Sequence, residues 1–412
     1  MYLPRLIDPL IDEILAQHPA LMIVGPRAGG KTTTALQRTK SSLRLNRSND
    51  AQLVRSDPDA ALRELTPPIL IDEWQVVPEI LAVVKERVDE GVGNGRFVLT
   101  GSFRADLTEQ GWPMTGRVIR ATLWGLTTRE LVGRTDGGSF FDRLLDDPTD
   151  PPAAALDAVD TRGYVEYALR SGFPEATLKD NERARTRFLD SYIDDVIHRD
   201  IPAIGGRRET LKVLRYLKAL AASTAGAPQH KRVYDAAEIE RVTAVAFDDL
   251  LEKFMIVERL PAWQSSRLGR LAQLPKRHVA DPALLVPLLG VDARAVMRDV
   301  DLLGRVIETY VVAQLRVEAT ISRRPPQLFH LRNTNGDREV DLLAEFPNGD
   351  VIAIEVKATN APTLHDARHL TWLETRLGDR LRANVLLHTG RHAFRLTPRI
   401  LALPISSIWG HG

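Results

Sequence analysis

The chain has 412 residues, 44% of them apolar and 26% charged, and a net charge of +1. That composition excludes a disordered polymer and a molecule-wide basic field for nucleic acid, and the length exceeds one ordinary core, so two or three domains are expected. There is no cysteine, which excludes disulfides, thiolate zinc sites and cysteine-held iron–sulfur clusters. No run reaches the ~20 apolar residues of a membrane span, and Tyr2-Leu-Pro-Arg5 shows neither a basic nor an apolar leader pattern. A cytoplasmic protein without a membrane partner is expected.

Apolar residues at helical spacing (Leu6, Leu10, Ile14) predict an amphipathic helix within 3–17. Residues 21–24 are a short apolar run before a glycine-rich turn, the pattern of a buried parallel strand, and a helix is expected to start near Lys31. Two more short apolar runs, 69–71 and 97–99, alternate with helical stretches such as 79–90, so 1–132 is predicted to be an α/β domain with a parallel sheet. Residues 133–160, with Gly137-Gly138 and a Pro/Asp-rich stretch at 146–152, are the expected linker. A helical region follows over 161–290. The remainder, 291–412, alternates again, with strands at Gln327–Arg332, Glu339–Glu345, Val351–Lys357 and 384–388 and helices at 302–320 and 364–377.

The turn after the first strand reads Gly25-Pro26-Arg27-Ala28-Gly29-Gly30-Lys31-Thr32, which satisfies G-x-x-x-x-G-K-[ST] between a strand and a helix. Glycines let the backbone N–H groups from about Arg27 to Lys31 curl around a β-phosphate, and the helix N-terminus adds its positive dipole end. Residues 25–33, Thr33 included, are therefore the predicted ATP cradle. Lys31 is expected on the β/γ oxygens and the Thr32 hydroxyl on Mg²⁺. The strand Ile69-Leu-Ile-Asp72-Glu73 ends in two carboxylates, Asp72 for the Mg²⁺ shell and Glu73 to polarise the attacking water. A third strand ends in Thr100-Gly101-Ser102, so Thr100 or Ser102 is placed to sense the γ-phosphate, on the edge where parallel sheets bind ligands.

These motifs, together with Leu123-Trp-Gly-Leu126, Ser171-Gly-Phe-Pro-Glu175, Leu274-Pro-Lys-Arg277, Asp281-Pro-Ala-Leu284 and the stretch from Gly336 to Lys357, resemble prokaryotic P-loop ATPases of the AAA+ superfamily with a C-terminal DUF4143 region. The resemblance implies an AAA+-like core with a parallel sheet, a helical lid and winged-helix-like middle, and a restriction-nuclease-like α/β C-terminal domain. It also implies self-association through the ATPase domain. Arg117, after Thr115-Gly116, stands where such a protein carries an arginine finger or sensor arginine.

The C-terminal strands carry charge where a buried strand should not. In Val351-Ile-Ala-Ile-Glu355-Val-Lys357, alternation puts Glu355 and Lys357 on one face, and Asp341 lies among apolar neighbours on the preceding strand. Asp341…Glu355-Val356-Lys357 looks like the D…ExK core of the PD-(D/E)XK nuclease fold, with Glu308 on the preceding helix as a further acid. In that reading Asp341 and Glu355 bind Mg²⁺ and Lys357 positions or activates a water beside a phosphodiester.

In the helical middle, 211–223 and 236–254 are expected as two winged-helix helices and 255–260 as the start of the wing. Asp248, Asp249 and Glu252 would face DNA phosphates unfavourably, with Arg207, Arg208, Lys231 and Arg232 flanking them. The leading expectation is an ATP-binding and ATP-hydrolysing motor or switch acting on nucleic acid, with scope for a Mg²⁺-dependent nuclease module. The alternative is an ATPase switch acting on protein partners, with a catalytically inert C-terminal domain.

Overall fold

The computed structural model describes residues 2–101, 114–146, 159–202, 210–228, 230–264, 274–333 and 338–410. The chain divides into two compact units, 1–126 with 253–255 and 127–252 with 256–412.

In the first unit, β1 (Ala20–Val24), β2 (Ser41–Arg44), β3 (Ile69–Asp72), β4 (Phe97–Gly101) and β5 (Ile119–Thr122) form one parallel sheet, ordered β2-β3-β4-β1-β5. The three central strands are the apolar runs predicted from sequence. Their side chains are buried almost throughout, as in parallel sheets that have no solvent face. The edge strands β2 and β5 each bury a single side chain, Leu43 and Ala121, and their polar composition hides them from a search for apolar runs. Met22, Ile69, Ile71 and Leu99 pack with Val54, Leu62, Ile80 and Val84 from the helices Ser48–Ser56, Pro58–Arg63 and Ile80–Asp89. Each such side chain is worth roughly 1.5–3 kcal/mol when fully buried. The first helix begins only at Asp8, with a proline in its opening turn, where a missing N–H costs nothing.

The second unit opens at Thr127, a few residues before the boundary expected from sequence. Its first helix, Thr128–Leu131, carries a capping box formed by Thr127 and Glu130. Part of the expected linker is structured: Phe140–Asp146 is a helix whose Phe140, Phe141 and Leu144 are fully buried. Glycines and aspartates around it imitate a linker composition, while its two phenylalanines belong to a core. Residues 147–158 lie outside the described residues.

In the middle, the helices Thr210–Ala222, His230–Ala236 and Arg241–Lys253 precede a two-stranded antiparallel sheet, β6 (Val257–Leu260) with β7 (Lys276–Val279). The two expected winged-helix helices, 211–223 and 236–254, correspond to the first and third of these, with β6 at the expected start of the wing; the helix His230–Ala236 is an addition. The C-terminal sheet contains β8 (Gln327–Arg332), β9 (Glu339–Glu345), β10 (Val351–Lys357), β11 (Leu381–His388), β12 (Phe394–Thr397) and β13 (Ile400–Pro404), in the order β12-β13-β11-β10-β9-β8. Pairing is antiparallel from β8 to β10 and parallel from β10 through β11 to β13. The helix Arg368–Leu377 packs Leu370 and Leu373 against Val340, Leu343, Val351, Ala353 and Leu386. The long helix Val300–Thr320 precedes this sheet and is buried along most of its length after Val306. The helix–three strands–helix–strand order predicted for 291–412 is therefore present, extended by β12 and β13.

Candidate functional site

The phosphate loop connects β1 to the helix Lys31–Leu36. Ala28 (φ 58°) and Gly30 (φ 94°) adopt left-handed conformations at alternate positions, the geometry from which backbone nests for anions are built. Gly25 is required by space: a Cβ there would lie 2.1 Å from the carbonyl oxygen of Leu123. The Lys31 ammonium is buried and donates to the carbonyl oxygens of Gly25 (3.0 Å) and Pro26 (2.8 Å). Burial pulls its pKa down to about 8, against the pull of Glu73 and Asp72.

The parallel register places Asp72 beside Thr100 at the ends of β3 and β4. Both Thr32 Oγ1 (2.7 Å) and Thr100 Oγ1 (2.5 Å) donate to Asp72 Oδ1, and the Thr100 hydroxyl also accepts the Glu73 N–H at 3.3 Å. A hydroxyl and a carboxylate in contact at the mouth of a phosphate loop are hard oxygen donors, and Thr32 with Asp72 fits a Mg²⁺ site. Glu73 is a non-glycine residue in the left-handed region (φ 57°), which costs on the order of 1–3 kcal/mol. The Gln75 amide donates to its carboxylate.

Two bracing groups were missed at the sequence level. Arg5 is 4% exposed and donates to the Gly29 oxygen (3.2 Å) and the Trp124 oxygen (2.7 Å). Asp8 and Asp12 hold Arg38, just beyond the loop's helix. Both contacts join positions far apart in sequence, and neither residue sits in a motif.

Arg117 donates to Asp89 Oδ1 at 2.6 Å and to the Thr115 oxygen at 2.9 Å. It precedes β5, whose register with β1 runs from Leu21↔Ile119 to Val24↔Thr122. Arg117 therefore lies at the opposite edge of the sheet from the phosphate loop, roughly 20 Å away at ~3.3 Å per residue. As a finger it does not fit this chain's own loop. Ser102 lies outside the described residues.

The second predicted site is assembled in the second unit. Beyond Leu342 the β9–β10 ladder ends, and a side chain takes over: Asp341 Oδ2 accepts the Val356 N–H at 2.9 Å. A register shift between β8 and β9 falls at the same point, a bulge of the kind that re-aims side chains. Glu355 Oε1 accepts from Lys357 Nζ at 2.7 Å, while Glu355 Oε2 is buried with no hydrogen-bond partner among the described residues.

The residue that sequence reasoning missed is Lys276 on β7. It is fully buried, and its Nζ lies 2.7 Å from Glu308 Oε1, 3.0 Å from Glu339 Oε1 and 3.1 Å from Asp341 Oδ1. Burial, then Asp341, pushes Glu308 up to about 8, and the same two causes push Glu355 up to about 8. Burial also disfavours charge on Asp341, but Lys276 and Lys357 outweigh it and hold Asp341 below the usual carboxylate range. The expected Mg²⁺ pair, Asp341 and Glu355, is thus arranged around two ammonium groups. Among the described residues no three His, Asp or Glu side chains are grouped to hold a metal ion, and the donor set as arranged does not fit one.

These groups open into a cleft of about 1220 Å³, within the second unit, that also reaches Arg232, Arg305 and Arg332. The acids of the helix Arg241–Lys253 are already engaged. Asp248 accepts from Tyr216 Oη (2.8 Å) and Arg277 (2.7 Å), and Arg259 on β6 takes Asp249 and Glu252. These pairs tie helix and β-pair into one packed module.

Comparison with known proteins gives three adjoining matches. Residues 17–132 match the model of an AAA domain, 161–295 that of DUF8612 and 303–408 that of DUF4143, the latter two being domains of unknown function. Uncharacterized proteins of Mycobacterium tuberculosis and Mycobacterium bovis are each 29% identical over 405 residues, spanning 96% of this chain and 82% of theirs. A Walker-type ATPase of Pyrococcus abyssi aligns over 68% of this chain and 94% of its own, with 15% identity and a TM-score of 0.43. Among the described residues no helix is long and apolar enough to cross a membrane.

Proposed function

We propose that this chain, an AAA-type P-loop ATPase with a C-terminal DUF4143 region, hydrolyses ATP and uses the cycle to act on nucleic acid held by its second unit. The observation that supports hydrolysis is the network in which Thr32 and Thr100 share one oxygen of Asp72 while Thr100 accepts the N–H of Glu73. It ties the end of β3 to the start of the loop's helix and fixes the Asp72 carboxylate beside the Thr32 hydroxyl.

In this reading the N–H groups of residues 27–31 hold the β-phosphate, and Lys31 exchanges the Gly25 and Pro26 carbonyls for β/γ oxygens. Thr32 and Asp72 would hold Mg²⁺, which would supply charge that neutralises the nucleotide's phosphates. Glu73 orients the attacking water from a backbone held in the left-handed region. Thr100 keeps Asp72 in place.

The nucleic-acid assignment is supported by the arginines of the second unit's cleft, Arg232, Arg305 and Arg332, which stand there among the acids Asp301, Glu308, Glu339, Asp341 and Asp366. The test is Mg·ATP turnover by the wild type, Lys31→Ala and Glu73→Gln, each with and without single- and double-stranded DNA. We expect turnover that rises with DNA and falls about 10²-fold or more in both variants. Turnover indifferent to every nucleic acid but raised by a protein partner would replace this reading with an ATPase switch on proteins. Unimpaired turnover in Glu73→Gln would remove Glu73 from the mechanism.

A further inference from the structure

We propose that Lys276 occupies the place a divalent cation would take among Glu308, Glu339 and Asp341, so that the D…ExK-like site of the second unit is closed by its own ammonium and binds no Mg²⁺. Four elements meet there. Lys276 comes from β7, Glu308 from the helix Val300–Thr320, Glu339 and Asp341 from β9, and Glu355 with Lys357 from β10. The ammonium has three donors, and three carboxylate oxygens from three residues lie within 3.1 Å of it. It is fully buried, so this is no mobile surface lysine that a cation displaces at little cost. A cation arriving between Asp341 and Glu308 would face a positive charge about 3 Å away in a poorly screened interior.

Two further carboxylate oxygens are also committed. The second oxygen of Asp341 is taken by the Val356 N–H, and Glu355 is held by Lys357 at 2.7 Å. Glu355 Oε2 is buried without a hydrogen-bond partner among the described residues, and a single such oxygen does not make a Mg²⁺ site. Lys276 thus acts as a rivet between the winged-helix-like segment and the C-terminal sheet. The cleft beside it presents arginines to an anionic polymer without the means of metal-assisted cleavage. This last consequence rests on the nucleic-acid reading above; the closure of the site by Lys276 does not.

Mn²⁺ binding followed by electron paramagnetic resonance, on the full nucleotide-free chain, tests the closure. Wild type and Asp341→Asn are expected to bind the same amount of Mn²⁺. Lys276→Ala is expected to gain one Mn²⁺ equivalent that is lost again in the Lys276→Ala/Asp341→Asn double variant, with a matching Mn²⁺-dependent rise in Tm. A wild-type Mn²⁺ equivalent that disappears in Asp341→Asn would overturn the proposal, as would a folded Lys276→Ala that gains none. If Lys276→Ala does not fold, the wild-type and Asp341→Asn comparison decides alone. DNA binding by gel shift separates the two readings, because its absence would end the nucleic-acid assignment and leave the Mn²⁺ result standing.

Discussion

Lys31 is the residue whose chemistry depends most visibly on its surroundings. Without nucleotide, burial lowers its pKa to about 8, and its proton is held by two backbone carbonyls. Bound phosphates favour the charged form, so the bound pKa lies above the free one and ATP binding takes up a proton when pH exceeds about 8. Affinity is therefore expected to be flat from pH 6.5 to 7.5. Above about 8 it should weaken towards a limit of about tenfold per pH unit. Calorimetric titrations of ATP across pH 7–9.5 check the sign, and an affinity that strengthens with pH would contradict it. Much of this site was legible in the sequence because the loop is eight consecutive residues with a fixed spacing. Lys276 was not, because its partners Glu308, Glu339 and Asp341 lie tens of residues downstream.

Legibility at the level of elements follows burial. β1, β3, β4, β9 and β10 have few solvent-facing positions and stand out as apolar runs, whereas β2, β5 and β12 are short edge strands with mostly exposed or half-exposed side chains. The acidic helix Arg241–Lys253 shows how an element-level objection can dissolve. Its acids look hostile to DNA in sequence, yet the structure spends them on Tyr216, Arg277 and Arg259. Asp248 is buried against a buried Arg277, so Asp248→Ala strands that guanidinium and is expected to cost about 3–5 kcal/mol. Asp249 is half-exposed, and Asp249→Ala should cost no more than about 1 kcal/mol. Urea denaturation of both variants measures the contrast, and equal losses would show that the pair does not hold the module together.

Across the whole molecule, the phosphate loop and the D…ExK-like cleft belong to different compact units. A calorimetric melt is therefore expected to depart from two-state behaviour. Mg·ATP should raise only the transition that belongs to the first unit, by about 2.7 kcal/mol at a hundredfold excess over Kd. Lys31→Ala should abolish that shift and leave the other transition where it was. A single transition that moves as a whole with nucleotide would mean that the two units unfold together.

Arg5 connects the first few residues to the floor of the phosphate loop through Gly29 and Trp124. Loss of the Arg5 guanidinium would therefore register as a change in ATP affinity with no residue of the loop altered.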